Sequence, residues 1–302
     1  MSKYARPRKA LLKMIIIFMF SLLCLIPLHK AQEATEKRQL MKFLPGHERY
    51  PKQDLPSTIR IIFISGMLGS GHEQFVQMWE SCENCVVNLK LSHLVSQLFN
   101  EVTSIEKFAE IQKQVLQKMI FLREKYEGQD ISIILNAAES TPSMSFPISL
   151  DEEDYPKHPD LIRLADLALK ASLDLRLIVL MRDASHVIKE LIGDENNNVK
   201  YGYTAREFVD LCEVQVMQLV DLDPNFYVCW DHEDPTNDSS LKSIGKHINY
   251  RTIDEKDFHD VGKAVFSNVV PSITLTEAQE AMLDFYRLCI DNLRELCSIK
   301  AS

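Results

Sequence analysis

Glycine and proline are scarce, 9 and 12 residues in a chain of 302. That excludes a collagenous or low-complexity protein, which needs them in excess, and the apolar content excludes a disordered one. Positive charge is not in surplus either. Lys and Arg number 34 against 43 Asp and Glu, a formal net charge of −9. A dedicated nucleic-acid binder needs clustered cations to neutralise phosphates, so no nucleic-acid partner is expected, although a local basic pocket stays compatible with the balance. Seven cysteines are too few for a disulfide-dense miniprotein, and a chain this long does not need one. No internal repeat is visible. What is plentiful is apolar: 46% hydrophobic against 25% charged, enough for one large domain or two ordinary ones.

The first thirty residues bear on the compartment. Lys3, Arg6, Arg8, Lys9 and Lys13 precede an apolar run from Met14 to Leu28, which extends back to Ala10 if Lys13 snorkels. A spanning helix needs about 20 apolar residues. A cleaved leader has a shorter core and then a small-x-small site. The residues that follow, His29-Lys30-Ala31-Gln32-Glu33-Ala34, make a poor cleavage site. The basic cluster holds the start in the cytosol. The expected order is therefore a cytoplasmic tail (1–9), a signal-anchor helix (10–28), a stem (29–57, with Pro45, Pro51 and Pro56) and a lumenal domain (58–302). The alternative is a cleaved signal and secretion. Either puts the domain in the secretory lumen or outside the cell.

Cysteine usage agrees with that compartment. Apart from Cys24 in the apolar run, Cys82, Cys85, Cys212, Cys229, Cys289 and Cys297 make an even set, enough for three disulfides whose pairing the sequence leaves open. Cys82-Glu83-Asn84-Cys85 has redox-motif spacing, but it would end a helix where a thioredoxin-type pair opens one, so a structural disulfide or buried thiols is the preferred reading. A zinc site would want a second such pair, and none is present. Asn237-Asp238-Ser239 is a glycosylation sequon in a polar stretch, Asp231 to Ser240, which reads as a surface loop.

Beyond residue 57 the pattern alternates. Short apolar runs rich in β-branched residues, at 58–65, 86–91, 131–135, 175–181 and 225–230, read as strands. Helical periodicity fills the gaps at 71–81, 92–101, 105–126, 161–172, 184–192 and 204–220, and again at 276–296. Continuous apolar strands separated by helices imply a parallel sheet covered on both faces, a three-layer α/β/α domain. Ligands bind such sheets at the carboxyl ends of the strands.

Two strand ends carry chemistry. The first run opens into Ser65-Gly66-Met67-Leu68-Gly69-Ser70-Gly71-His72-Glu73. A glycine-rich turn between strand and helix cradles phosphate, because backbone N–H groups can approach the anion and the helix start adds positive charge. The Gly66-x4-Gly71 spacing matches the front of a nucleoside triphosphate P-loop. Its Lys and Ser/Thr positions hold His72 and Glu73. A magnesium-dependent kinase-like enzyme is thus a lesser alternative, and a bare structural turn is another. The second end is Leu177 to Met181 followed by Arg182-Asp183-Ala184-Ser185. Here Arg182 would stand beside a helix start, placed to grip a second phosphate, and Asp183 would cap the helix.

Taken together in this order, the two ends resemble the sulfotransferase family, in its membrane-anchored Golgi type and its divergent sulfotransferase-like branch. The stretch from His158 to Asp183 and the Ser70-Gly71-His72 form of the turn carry that likeness over about residues 58–231. The resemblance implies a P-loop-containing fold, use of the sulfuryl donor PAPS, and a glycan or protein hydroxyl as acceptor at the Golgi membrane. It implies that Gly66, Gly69, Ser70, Gly71 and His72 hold the phosphosulfate, and that Arg182, Ser185 and Lys189 hold the 3′-phosphate. The chain departs from the family at Leu68 or Gly69, where a Lys or Arg is usual, and at Glu190, where a serine is usual. A catalytically inactive relative that binds a nucleotide or a partner is therefore the second reading.

Sulfuryl transfer is an in-line displacement that needs a base for the acceptor and cationic donors for the leaving phosphate, with no metal. His72 and Glu73 are the catalytic candidates. Asn136, Glu139 and His158 are weaker ones, on loop placement alone.

Overall fold

The computed structural model describes residues 58–67, 70–100, 105–135, 158–192, 205–232, 238–252, 258–266 and 277–301. All belong to one compact unit, Arg49–Ser302. The expected anchor and stem lie outside the described residues, as do Gly69, Asn136, Glu139 and Asn237. Among the described residues no helix is long and apolar enough to cross a membrane.

Among the described residues five strands form one sheet: β1 (Ile59–Ser65), β2 (Cys85–Val87), β3 (Ile131–Ile134), β4 (Asp174–Met181) and β5 (Tyr227–Asp231). They lie in the order β2-β3-β1-β4-β5, and every pairing is parallel. The helices are α1 (His72–Glu80), α2 (Leu89–Asn100), α3 (Ile105–Lys125), α4 (Leu161–Lys170), α5 (Ala184–Ile192), α6 (Ala205–Asp221), α7 (Asp238–Ile248), α8 (Phe258–Phe266) and α9 (Glu277–Ala301). This is the expected α/β domain with a central parallel sheet.

The period-two rule explains how both faces are filled. On one face Ile61 and Phe63 of β1 and Leu175, Leu177 and Val179 of β4 pack with α2 to α6 and α9. On the other, Ile62 and Ile64 of β1 and Ile178 and Leu180 of β4 pack with Phe75, Met78 and Trp79 of α1 and with α7 and α8. Apart from Arg60, Ser65, Asp174 and Arg176, every side chain of β1 and β4 is therefore apolar, which is why both read as hydrophobic runs.

Two boundaries differ from expectation. The second strand ends at Val87 rather than running to 91, because Asn88 starts a helix. The Asn88 side chain accepts a hydrogen bond from the Leu91 amide at 2.9 Å, and its carbonyl accepts from Ser92. An N-cap thus outcompetes the apolar character of Leu89 and Leu91. The fifth strand starts at Tyr227 rather than 225, because Asp223 and Pro224 set a 3₁₀ turn over Pro224–Phe226 in which the Asp223 carboxylate accepts from the Asn225 amide.

Three disulfides form, Cys82–Cys85, Cys212–Cys289 and Cys229–Cys297. The first sits just beyond α1 and joins its end to the start of β2. The other two join α9 to α6 and to β5.

Candidate functional site

The chain leaves β1 for α1 on one face and leaves β4 for α5 on the opposite face. Neighbouring parallel strands that diverge in this way open a crevice at their carboxyl ends. Gly66 follows β1 and Arg182 follows β4, so both sequence-predicted motifs stand at the carboxyl ends of adjacent strands.

The turn is held tightly against β4. A Cβ on Gly66 would lie 2.9 Å from Leu180 Cβ and 3.3 Å from Leu180 O, with His72 Cε1 at 3.4 Å. Only a hydrogen fits there. Gly71 caps α1 with φ 93°, a left-handed conformation that suits glycine. Ser70 donates its amide to Met67 O at 3.0 Å. Its hydroxyl is sealed from solvent and has no hydrogen-bond partner, and the same holds for His72 Nε2. Unpaired buried polar atoms cost about 1–3 kcal/mol each, so two of them at a glycine turn mark a place where a polar ligand would repay the penalty.

The β4 end is capped as expected. The Asp183 carboxylate accepts from the Ser185 amide at 2.8 Å and from the Ser185 hydroxyl. Burial works to raise the Asp183 pKa, but those two donors, with His186 and Arg287 nearby, hold it below the usual value. Ser185, expected as a phosphate ligand, is therefore engaged as part of the cap. Lys189 and Glu190 lie on α5, and Glu73 lies in the first turn of α1; their side chains are outside the described set. His158 lies just before α4, with Nδ1 at 3.4 Å from the Gln218 amide nitrogen of α6.

A residue that sequence reasoning missed joins the two tips. His232, just past β5, donates its backbone amide to Met181 O at 2.9 Å. Its ring donates to the Gly71 carbonyl. One residue thereby straps the glycine turn to the end of β4. Burial and then the nearby Arg182 charge push its pKa down to about 4, against the opposing pull of Asp231 and the Gly71 bond. His72 is also pushed down to about 4, by burial and then by His232. Both rings are neutral at pH 7. Asp231 is held by Arg294 of α9 at 2.9 Å.

No protein-family model and no curated relative matches the chain. Among solved structures, the sulfotransferase domain from the Synechococcus PCC 7002 olefin synthase is similar, at 12% identity and a TM-score of 0.36. The match covers 80% of this chain and 98% of that one. Chemically, the crevice combines a glycine-lined helix start, one guanidinium and neutral imidazoles, a set suited to an anion with more than one charged group.

Proposed function

We propose that the chain is a PAPS-dependent sulfotransferase that moves a sulfuryl group to a hydroxyl of a glycan or protein. The observation that supports this reading is the convergence of the glycine turn and Arg182 on adjacent strand ends, bound together through His232. The residues fit a doubly phosphorylated ligand. Ser70 Oγ and His72 Nε2 offer unpaired polar atoms at the turn, and the Gly66 side has no room for anything but glycine.

When bound, the donor supplies the sulfuryl group and a phosphate leaving group. The turn from Gly66 to His72 and the first amides of α1 hold the phosphosulfate, Gly69 among them. Arg182 pairs with the 3′-phosphate, with Lys189 one turn further along α5. His72 donates to the oxygen on which charge grows as the S–O bond breaks. Glu73, beside it in the first turn of α1, takes the proton of the acceptor hydroxyl.

The test is thermal unfolding with PAP, the desulfonated donor product. Saturating PAP should raise the midpoint by several degrees. Arg182→Ala should weaken PAP by about 10- to 100-fold, the worth of one charge-assisted contact. A shift that survives this substitution unchanged removes Arg182 from the site. Labelled sulfate offered to a panel of glycans and proteins then separates enzyme from binder. The binder reading is favoured by the lack of Lys or Arg between Gly66 and Glu73. Placement as a Golgi type II membrane protein, glycosylated at Asn237, belongs to the same proposal. Its support is the three disulfides, which persist in oxidising compartments.

A further inference from the structure

Cys82 and Cys85 close the shortest of the three covalent links, between the end of α1 and the start of β2. Both are partly exposed, whereas Cys212 and Cys289 are sealed at 0% and 2%. Attack by an outside thiol needs access to a sulfur, which favours the first link over the sealed one. The segment between Cys82 and Cys85 does not depend on the link for its place. The Glu83 amide donates to Arg251 O at 2.8 Å, and the Asn84 carbonyl accepts from the Ser132 amide at 2.8 Å. Cys85 then pairs with Ser132 across β2 and β3. A loop this short also restrains the unfolded chain far less than loops spanning 77 or 68 residues. Opening it therefore costs the fold little.

Asn84 supplies the deciding observation. It is buried, at 8% exposure. Its Nδ2 donates to Asn249 O at 2.9 Å, which fixes the oxygen end of the amide. Oδ1 lies 3.4 Å from Cys82 Sγ. In the closed disulfide that sulfur carries no proton and has nothing to donate. A Cys82 thiol in the same place donates to Oδ1. The fold thus holds, in a buried position, an acceptor suited to the reduced state of the link. We propose that Cys82–Cys85 is a reversible thiol–disulfide exchange site, opened by a dithiol and closed again by a disulfide oxidant with the sheet intact. One thiolate of the dithiol attacks Cys85 Sγ and breaks the link. The Cys82 thiolate leaves, takes a proton from solvent and donates it to Asn84 Oδ1. The second thiolate of the reductant then attacks the reductant's own sulfur in the mixed disulfide and releases Cys85, which takes a second proton. The dithiol is oxidised to its disulfide by two electrons, and the chain is reduced by the same two. The site stands at the amino ends of the strands, the end opposite Gly66 and Arg182, and does not rest on the donor-site reading.

Dithiothreitol is the probe. The full chain is equilibrated with graded mixtures of its reduced and oxidised forms, alkylated and mapped by peptide mass, with far-UV circular dichroism on the same samples. Cys82 and Cys85 should alkylate together over a range in which Cys212–Cys289 stays closed and the spectrum stays native. Transfer to oxidised dithiothreitol should close them again. Asn84→Ala removes the acceptor that favours the thiol, so half-opening should need an about 3- to 10-fold higher ratio of reduced to oxidised probe. Cys82→Ser/Cys85→Ser puts a hydroxyl donor beside Asn84 Oδ1 and should fold with the native spectrum, which reads the open state without relying on Asn84→Ala. Alkylation of Cys82 and Cys85 only where the spectrum is lost overturns the inference, as does an opening that cannot be reversed. A half-opening ratio in Asn84→Ala equal to that of wild type, or a Cys82→Ser/Cys85→Ser chain that does not fold, overturns it as well.

Discussion

Lowering the pH from 7 to 5 should destabilise this protein steeply, and the two crevice histidines should account for much of the loss. Both fold with pKa values near 4, against 6.5 for a free imidazole. A group that binds protons less readily when folded contributes stability in full above its unfolded value. That contribution falls as the pH drops through 6.5 and levels off below about 4. At pH 5 each ring alone forfeits about 2 kcal/mol. The two losses are not independent, because part of the lowering at His72 is the charge of His232. Together they come to about 3 kcal/mol, a large share of the 5–15 kcal/mol typical of a domain. Urea unfolding at half-unit steps between pH 7.5 and 4.5 would give the slope for wild type and for His72→Asn/His232→Asn. The wild type should lose about 3 kcal/mol more than the double variant between pH 7 and pH 5. Equal slopes would mean that the rings are not held neutral by the fold, and the argument about the crevice would fail with them.

Other expectations are independent of that one. Gly66→Ala should cost about 1–3 kcal/mol in urea unfolding, because its methyl would press on Leu180 of a central strand that is paired on both sides. Gly128→Ala, with φ +76° but open space around it, should cost about 1 kcal/mol for backbone strain alone, and a larger loss there than at Gly66 would contradict the packing argument. Replacing Cys212 and Cys289 by alanine opens a loop spanning 77 residues and should lower stability by up to about 4.5 kcal/mol, read as a fall in the melting midpoint under non-reducing conditions. Asn88→Ala should cost about 1 kcal/mol by uncapping α2, and no change would show that the cap is replaceable.

The sheet was legible because β1 and β4 bury both faces and so leave unbroken apolar runs. The glycine turn and Arg182 were legible for a related reason: strand ends are where such sheets place their chemistry. His232 obeys the same logic and was still missed, since Asp231 to Ser240 reads as one polar loop and hides the last residue of β5 within it. The role of Ser185 was also hidden. A hydroxyl in a first turn serves a ligand or a capping carboxylate equally well in sequence, and only the fold shows Asp183 claiming it. Strand order and disulfide pairing depend on which distant segments meet, and local periodicity carries no information about that. The overrun of β2 has a simpler cause: Val86, Val87, Leu89 and Leu91 look continuous until Asn88 is given its capping role.

The last helix is bound to the rest of the molecule by two crossing covalent links, from Cys289 back to Cys212 and from Cys297 back to Cys229. The same helix presents Arg294 to Asp231, next door to His232. Since α9 follows all five described strands, this buttress can be set only after the whole described sheet has been synthesised, and two disulfides then fix it in place. The brace beside His232 should therefore form late in biogenesis.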